Sequence, residues 1–438
     1  PEGVFYMANQ ASQLTAIVGI NWGDEGKGRM VDLLSEDYDI IIRYQGGNNA
    51  GHTVVNDKGK FILNLLPSGI LRPNTVNVMG NGMVIDLEHL VGEMQRLTDK
   101  GIEITPAHLK ISEKAVICMP YHKMLDCLEE DRLGDAKFGS TRRGIGPVYG
   151  DKYMKKIIRM CDLFESEEYL RKRLAGILEW RNLMIHNGYG AEPVTTDDMY
   201  AWLRTYGDKL KPYVCDTTAY LADAIKEGKR IMFEAQLGAL RDIDFGIVPY
   251  TSSSSTIAAY APVGAGIPFA KLDGVIGVMK AYSSCVGEGP FTCEMFGDEA
   301  HDLREAGGEY GAATGRPRRV GGFDIPASKY GCLMQGATEI ALTKLDVLSY
   351  LDKIPVCVAY EIDGKRTDNF VTGEKLNAAK PIYEYVPGFH CDISKCRRAS
   401  DLPKAAYDYI KYIEKAVGVP VTYVSVGAER DAYIKMYE

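Results

Sequence analysis

The feature that most constrains the fold is a buried strand that runs directly into a glycine-rich loop. Residues 14–20 form a short apolar, β-branched run, and residues 21–29 continue as Asn-Trp-Gly-Asp-Glu-Gly-Lys-Gly-Arg. Residues 30–37 have helical apolar spacing, and residues 39–44 form a second apolar run. A strand, a glycine loop, a helix and a strand in this order are typical of a parallel α/β sheet.

Similar patterns recur along the chain. We predict further strands at 76–79, 109–111, 230–234, 274–281, 354–360 and 421–426, and helices at 87–100, 338–344 and 402–417. Residues 162–227 are rich in Glu, Leu, Arg, Lys and Tyr with apolar spacing near the helical period of about 3.6, which predicts a helical insertion. An Asp-Gly pair at 363–364 predicts a β-hairpin.

The fold class expected from these patterns is α/β. We predict a large, mostly parallel central sheet flanked by helices, with a P-loop-like glycine loop after the first strand and a helical insertion in the middle. Residues 14–438 are expected to form a single large catalytic domain. Residues 1–13 are expected to be an N-terminal extension or a cloning remnant, with Met7 as the native start.

Composition excludes several classes of protein. The chain has 438 residues, of which 46% are hydrophobic and 25% charged, as in globular proteins and not in disordered ones. No apolar run reaches the roughly 18 residues that a membrane helix needs. The net charge of −8 argues against non-specific nucleic-acid binding. Ten scattered cysteines without a Cys-x-x-Cys pair, and no signal peptide, predict reduced thiols and a cytoplasmic location.

The loop at 23–28, Gly-Asp-Glu-Gly-Lys-Gly, has the composition of an anion-binding loop. Its glycines let backbone N–H groups close around a phosphate, the following helix N-terminus favours negative charge, and Lys27 adds a positive charge. It is not a standard P-loop, because Asn21 and Gly28 replace the first glycine and the Ser/Thr of that motif. It is not a Gly-x-Gly-x-x-Gly dinucleotide loop either. The alternative is a tight strand-to-helix turn without a ligand.

Asp24 distinguishes this loop from a simple phosphate cradle. A carboxylate there repels phosphate unless a cation lies between them or the carboxylate accepts a proton from the substrate. Both possibilities favour magnesium-dependent phosphoryl transfer to an activated nucleophile.

A second loop, at 45–53, follows the second predicted strand and contains His52. Parallel strands place the loops at their carboxyl ends on one edge of the sheet, so we expect His52 to lie beside Asp24. An imidazole there can donate a proton or a hydrogen bond to a charged oxygen. The alternative is a structural histidine.

Two later segments could also bind a nucleotide. Residues 311–319 carry three arginines on a Thr-Gly-Pro loop, and guanidinium groups bind phosphates and carboxylates with two hydrogen bonds. The alternative is a solvated basic loop. The segment 343–346, Thr-Lys-Leu-Asp, can recognise guanine through its carboxylate, although Lys-Leu-Asp is also a common surface tripeptide.

Five ordered motifs together resemble the adenylosuccinate synthetase family. They are GDEGKG at 23–28, NAGHT at 49–53, RRGIGPVYGDK at 142–152, TGRPRR at 314–319 and TKLD at 343–346. The resemblance runs from about residue 14 to the C-terminus. It implies a ligase that joins IMP to L-aspartate, cleaves GTP to GDP and phosphate with Mg²⁺, and works as a homodimer with shared active sites.

The resemblance also implies catalytic roles. Asp24 would remove the N1 proton of IMP and ligate magnesium together with the backbone carbonyl of Gly51. The O6 anion would attack the γ-phosphate, with His52 and Lys27 stabilising the transferring group. The intermediate would be 6-phosphoryl-IMP, from which the aspartate amine displaces phosphate.

Binding roles follow in the same way. The residues implied for GTP are Gly23, Glu25, Gly26, Gly28, Arg318, Lys344, Leu345, Asp346, Ser425, Val426 and Gly427. The residues implied for IMP or aspartate are Asn49, Ala50, Thr53, Thr141, Lys155, Gln236, Ser252, Thr314 and Arg316. Lys155 stands where the family has an arginine that reaches the neighbouring subunit's IMP.

The chain departs from the family pattern at several of these positions. An ungapped comparison of residues 234–244 places Leu237, and not Gln236, at the family's IMP-contacting glutamine; a shifted loop could still use Gln236. Ser252 replaces a threonine and keeps its hydroxyl, whereas Ala313 loses one. Lys155 keeps the charge of the arginine without its planar fork.

Two other functions remain open on the sequence. One is a related ligase that acts on another purine monophosphate, such as a 2-aminopurine nucleotide. The other is a GTP-binding switch without chemistry, although a pure binder needs neither Asp24 nor His52.

Overall fold

The computed structural model describes residues 13–56, 59–311 and 315–437. The expectation for residues 1–13 therefore lies, apart from Gln13, outside the described residues. Within the described part of the chain, no helix combines the length and the apolar character needed to cross a bilayer.

The described residues form twenty strands. They are β1 Leu14–Gly19, β2 Ile40–Arg43, β3 His52–Asn56, β4 Gly59–Leu63, β5 Val76–Met79, β6 Val84–Ile85, β7 Leu109–Ser112, β8 Val116–Ile117, β9 Val214–Cys215, β10 Ile231–Glu234, β11 Gly274–Lys280, β12 Ser283–Cys285, β13 Arg319–Gly321, β14 Phe323–Asp324, β15 Glu339–Thr343, β16 Lys353–Ile362, β17 Lys365–Thr367, β18 Lys380–Pro387, β19 Val421–Ser425 and β20 Tyr433–Lys435.

Thirteen α-helices are found in the same residues. They are α1 Lys27–Leu34, α2 Leu87–Thr98, α3 Pro120–Leu133, α4 Ile145–Met154, α5 Glu167–Asn182, α6 Thr196–Trp202, α7 Asp208–Leu210, α8 Thr217–Lys226, α9 Ala261–Ala265, α10 Gly297–Gly307, α11 Ile325–Gln335, α12 Glu374–Ala378 and α13 Lys404–Val417.

The centre of the molecule is a ten-stranded sheet in the order β20-β19-β15-β11-β1-β10-β2-β5-β7-β9. All its pairs are parallel except β19 with β20. Burial of both faces explains why its strands read as continuous apolar runs, such as the fully buried Ile40–Arg43. The large, mostly parallel central sheet expected from the sequence is confirmed.

Two smaller predictions are also confirmed. Helices α5 to α8 lie within the segment predicted as a helical insertion. β16 and β17 pair as an antiparallel hairpin, and Asp363 and Gly364 at its turn both have positive φ, as a type I′ turn requires.

The prediction of a helix at 338–344 is wrong. Residues Glu339–Thr343 form β15, which lies between β11 and β19 with both neighbours parallel. The run at 338–344 is too short for its periodicity to separate a buried helix from a buried strand, and the pairing with the two neighbouring strands decides the outcome.

The strand order brings the functional loops together. β1 and β2 are not neighbours, because β10 lies between them and pairs with both in parallel. The loops after β1, β10 and β2 therefore leave the same edge of the sheet.

Candidate active site

A cavity of about 880 Å³ lies at this edge. Its lining includes the glycine loop after β1, residues 49–53, Arg318, and the segments 138–141, 145–147 and 248–253. Residues of the helical insertion, among them Arg181 and Tyr189, complete the lining. This size is at the upper end for a pocket that encloses a small molecule and can hold more than one ligand.

Glu25 stabilises the glycine loop through hydrogen bonds to the loop's own backbone and to Lys27. This carboxylate is 2% exposed and accepts hydrogen bonds from the backbone N–H groups of Asn21 (3.1 Å) and Gly23 (2.8 Å) through Oε1. Its Oε2 pairs with Lys27 Nζ at 2.6 Å. The side chain of Glu25, which the resemblance assigns to nucleotide binding, is therefore committed to holding the loop and its lysine.

Gly28 explains how the second loop approaches the first. A Cβ at this position would lie 2.9 Å from the Cβ of His52, which is closer than two side chains can pack. The glycine thus allows helix α1 to begin directly against strand β3.

Asp24 stands apart from the buried residues of its loop. It has a left-handed φ of 59°, lines the cavity, and leaves 41% of its side chain exposed. Its Oδ2 lies 3.3 Å from Nη2 of Arg318. A carboxylate in this setting is accessible to a ligand and already faces a cation that a phosphate would also attract.

His52 is held by a buried carboxylate that the sequence analysis did not identify as functional. Its Nδ1 lies 2.6 Å from Oε1 of Glu234, the last residue of β10. Glu234 also accepts hydrogen bonds from the Ser68 hydroxyl (2.6 Å) and backbone N–H (2.8 Å). These contacts fix the carboxylate and, through it, the orientation of the imidazole.

The electrostatics of this pair set the tautomer. Burial alone would raise the pKa of Glu234, but the hydrogen bonds from His52 and Ser68 and the charge of Arg43 bring that pKa below its usual value. Glu234 is thus an anion that only accepts, so Nδ1 of His52 carries a proton. Burial lowers the pKa of His52 although Glu234 opposes the shift, and the ring is neutral at pH 7 in the free protein. Any hydrogen bond from His52 to a ligand must come from Nε2.

Gln236 and Leu237 lie in different environments, the first in the core and the second at the cavity wall. Gln236 is fully buried; it accepts a hydrogen bond from Arg43 and donates one to Oδ1 of Asn49 at 2.9 Å. Leu237 lines the cavity and packs against Gly23, with a left-handed φ of 63° that costs on the order of 1 kcal/mol for a leucine. Gln236 therefore orients Asn49, and Leu237 makes the adjacent part of the cavity wall apolar.

The other residues predicted for IMP or aspartate fall into two groups. Asn49, Ala50, Thr53, Thr141 and Ser252 line the cavity, as does Gly51, which was predicted as a metal ligand. Two do not: Lys155 is exposed at the end of α4, and Arg316 is exposed and pairs with Glu288 at 3.1 Å. Thr314 and Ala313 lie outside the described residues.

The residues predicted for the guanine base form a separate group. Lys344, Leu345, Asp346, Ser425, Val426 and Gly427 follow β15 and β19 and are not part of the described cavity lining. Leu345 and Val426 are fully buried, and the backbone N–H of Leu345 donates to the Ser425 carbonyl at 3.2 Å. The two segments are thus fixed to each other by the sheet.

Arg29 connects this group to the glycine loop. It lines the cavity, and its guanidinium donates to the Ser425 hydroxyl at 2.6 Å and to the backbone carbonyls of Gly427, Glu429 and Ala432. The sequence offered one signal for this arginine, its place directly after the glycine loop.

The oxygen donors near the loop fit a magnesium ion held mainly by a nucleotide. In the ranges that the structure describes, no group of three or more His, Cys, Asp or Glu side chains could hold a metal. Asp24 and the backbone of Gly51 nevertheless line the same cavity and are hard oxygen donors. Mg²⁺ commonly takes one or two protein oxygens and completes its shell with phosphates and water.

Comparison with known proteins agrees with this geometry. The family model described as "Adenylosuccinate synthetase" matches residues 16–434. The chain is 46% identical over 420 residues to the adenylosuccinate synthetase of Halothermothrix orenii, covering 96% of this chain and 97% of the relative.

Two solved structures are also similar. The fully ligated adenylosuccinate synthetase of Plasmodium falciparum has a TM-score of 0.90 and 35% identity, covering 97% of this chain and all of the other. The succinoaminodeoxyadenylate synthetase of cyanophage S-2L, bound to dGMP and dATP, has a TM-score of 0.61 and 19% identity over 98% of this chain and 97% of the other, which indicates a shared fold only.

Proposed function

The chain belongs to the adenylosuccinate synthetase family, whose members are GTP-hydrolysing ligases that join IMP to L-aspartate in purine biosynthesis, and from this premise we propose how its residues divide the reaction. The proposal concerns the roles of individual side chains, the metal and the subunit arrangement. It rests chiefly on the placement of Asp24 and His52 in one cavity beside a glycine loop.

Asp24 accepts the proton from N1 of IMP. The electron pair released by this step moves to O6, which forms a bond to the γ-phosphorus while the bond to the GDP oxygen breaks. The aspartate amine then attacks C6 of the 6-phosphoryl intermediate and inorganic phosphate leaves, because phosphate is a far better leaving group than hydroxide. The exposure of Asp24 to the cavity supports this role.

His52 and Lys27 stabilise the charge on the transferring phosphoryl group. Since Nδ1 of His52 already donates to Glu234, the ring can donate from Nε2 only as an imidazolium. The phosphates of GTP would raise the pKa of His52 by placing negative charge beside it. We therefore propose that His52 gains its proton when the nucleotide binds.

Magnesium would be held by the Asp24 carboxylate and the Gly51 carbonyl together with nucleotide phosphates. When bound, the ion supplies neutralisation of the negative charge on the phosphates. Arg318 would then exchange part of its contact with Asp24 for the nucleotide.

The remaining contacts divide between the two substrates. We propose that Lys344 and Asp346, with the 425–427 backbone, recognise the guanine base, and that Asn49, Thr141 and Ser252 contact IMP. Arg316 and Thr314 are proposed to reach the aspartate side of the cavity. Lys155, which is exposed and not part of the cavity lining, is proposed to complete the site of a second subunit in a homodimer. The ten free cysteines suit a cytoplasmic location.

Phosphate release from GTP tests the proposal directly. Release should require both IMP and aspartate and should match adenylosuccinate formation one to one. Release without either substrate would favour a GTP-binding switch. Faster turnover with dGMP than with IMP would favour the 2-aminopurine alternative, which the 46% identity to the adenylosuccinate synthetase of Halothermothrix orenii makes the weaker choice.

A further inference from the structure

One buried carboxylate outside the proposed reaction binds two of the residues assigned to GTP. Glu309 follows helix α10 and is fully buried. Its side chain accepts from Lys280 Nζ (2.8 and 3.0 Å), from the Tyr282 hydroxyl (2.5 Å) and from Nη1 of Arg318 (2.9 Å). Lys344 Nζ lies 3.4 Å from the same carboxylate. We call Glu309, Lys280, Tyr282, Arg318 and Lys344 the Glu309 cluster.

The cluster lies at the carboxyl edge of the central sheet. Lys280 ends β11, and Lys344 comes directly after Thr343, which ends β15 and is the register partner of Lys280. The parallel pairing therefore delivers both ammonium groups to one place, where they would repel each other without an anion between them. Lys344 also has a left-handed φ of 59° and donates to the carbonyl of Gly307, so its direction is fixed at both ends.

The backbone of Glu309 holds the arginine loop as well. The carbonyl of Glu309 accepts from the backbone N–H of Arg318 at 2.9 Å, and the backbone N–H of Glu309 donates to the Arg304 carbonyl at 2.9 Å. Arg318 is thus bound to Glu309 through both main chain and side chain. Its other Nη reaches Asp24 at 3.3 Å, which places the guanidinium between the buried carboxylate and the exposed one.

Charge explains why this arrangement favours a nucleotide. Three cations lie around two carboxylates, Glu309 and Asp24, so the group keeps a net positive charge. Arg318 lines the cavity and the Lys344 side chain is 35% exposed, so a ligand can reach both cations. Burial alone would raise the pKa of Glu309, but the three cations hold that pKa far below its usual range. Glu309 therefore stays ionised at neutral and mildly acidic pH, and it holds Arg318 and Lys344 at a fixed spacing.

We infer that Glu309 is a positioning residue for GTP: it holds Arg318 against the phosphate side and Lys344 against the base side, so one carboxylate couples the two ends of nucleotide recognition. This inference rests on the GTP roles proposed above for Arg318 and Lys344. A purely structural role for Glu309 would leave those two side chains free to act when the protein is folded.

The test measures the KM for GTP and the KM for IMP in Glu309→Gln, on the full chain with its folding checked by circular dichroism. We expect the KM for GTP to rise at least about tenfold, the loss expected for one charge-assisted hydrogen bond, while the KM for IMP changes less than about twofold. A folded variant with reduced thermal stability but an unchanged KM for GTP would overturn the inference.

Tyr282→Phe serves as the second variant and decides the question if Glu309→Gln does not fold. It removes one hydrogen bond from Glu309 without stranding a charge, and we expect a rise of about two- to threefold in the KM for GTP alone. A KM for GTP equal to that of the unchanged protein would count against the positioning role.

Asp162→Asn is the matched control. Asp162 is also a buried carboxylate; it accepts from the Tyr169 hydroxyl at 3.2 Å and the backbone N–H of Arg159 at 2.7 Å, lies 3.9 Å from Arg173, and is not part of the cavity lining. Its replacement should lower stability without changing the KM for GTP, and an equal rise in the KM for GTP in both variants would overturn the inference.

Arg318→Ala and Lys344→Ala distinguish a failure of the proposed GTP roles from a failure of the inference about Glu309. If neither variant raises the KM for GTP, the proposed GTP roles fail. If both raise it while Glu309→Gln does not, only the inference fails.

Discussion

His52 and Asp24, on two sides of the cavity, differ in how far they are exposed and in how firmly they are held. His52 is 9% exposed, and its partner Glu234 is anchored by Ser68 within the core. Asp24 leaves 41% of its side chain exposed and faces Arg318, which is itself part of the site. In the proposed reaction, His52 keeps one orientation while it donates to the phosphoryl group, whereas Asp24 is open to the substrate and the metal that it contacts.

The largest expected effect comes from removing the open carboxylate. Asp24→Asn should lower turnover by about 10³-fold, within the range for losing a general base, while GTP still binds because the loop N–H groups and Glu25 are unchanged. Steady-state turnover and nucleotide titration measure the two properties.

Glu36→Gln is the control for that change. Glu36 is an exposed carboxylate just after α1 that pairs with Arg72 and Arg430. Its loss should change turnover less than about twofold. Substantial turnover in Asp24→Asn would remove the proton-acceptor role and with it the contrast between the two sides.

The next effect tests the fixed side. Glu234→Gln should lower turnover by about 10²-fold, the lower range for a general acid. Its charge raises the pKa of His52, so losing it lowers that pKa. Because the ring must be protonated to donate from Nε2, the alkaline limb of the pH–rate profile should move to lower pH.

Ser68→Ala provides a graded comparison with Glu234→Gln. It removes one hydrogen bond to Glu234 and leaves the contact with His52 intact, so we expect a loss of only a few fold. An unshifted alkaline limb in Glu234→Gln would show that His52 acts without the support of its buried partner.

Asp346 is a half-buried carboxylate, intermediate in exposure between Asp24 and Glu234. Burial raises the pKa of Asp346, and the positive charges of Lys344 and Arg29 oppose that shift. Asp346→Asn should reduce the preference for GTP over ATP by about tenfold, the cost of one lost pair of hydrogen bonds to a base, with little change in the KM for IMP. Unchanged discrimination between the two nucleotides would remove the guanine role.

The smallest expected effect concerns Lys155, which is exposed on the surface of the single chain. Lys155 is not part of the cavity lining, and its proposed partner is a second subunit. Lys155→Ala should raise the KM for IMP by a few fold, and Lys155→Arg should lower it, because the planar guanidinium can form two hydrogen bonds to phosphate. Unchanged kinetics for both variants in a confirmed dimer would argue against shared sites.

Much of the fold could be predicted because parallel buried strands leave continuous apolar runs. The apolar pattern predicts the segment 76–79 with its observed bounds, and the positions of Asp24 and His52 after two parallel strands predict that both lie at one edge. The same argument could have identified Glu234, since it ends a predicted strand. However, no single segment of sequence shows that this strand lies between the strands that precede Asp24 and His52.

Other features depend on contacts that no local pattern contains. Glu309 is an ordinary acid in sequence, and its role arises only when β11 and β15 bring two lysines to it. The different environments of Gln236 and Leu237 could not be predicted either, because the left-handed φ of Leu237 and the hydrogen bond from Gln236 to Asn49 arise only in the folded chain. The pattern at 338–344 predicts a helix in error because periodicity cannot decide so short a run.

The hydrogen bonds of Arg29 to residues 425–432 have a consequence for how the enzyme is synthesised. Their acceptors lie 396 to 403 residues further along the chain, so the helix that follows the glycine loop emerges from the ribosome long before the segment that binds Arg29. At synthesis rates of about 5–20 residues per second, the nascent loop remains without this support for roughly 20 to 80 seconds. A nascent polypeptide should therefore become able to retain guanine nucleotide only late in translation.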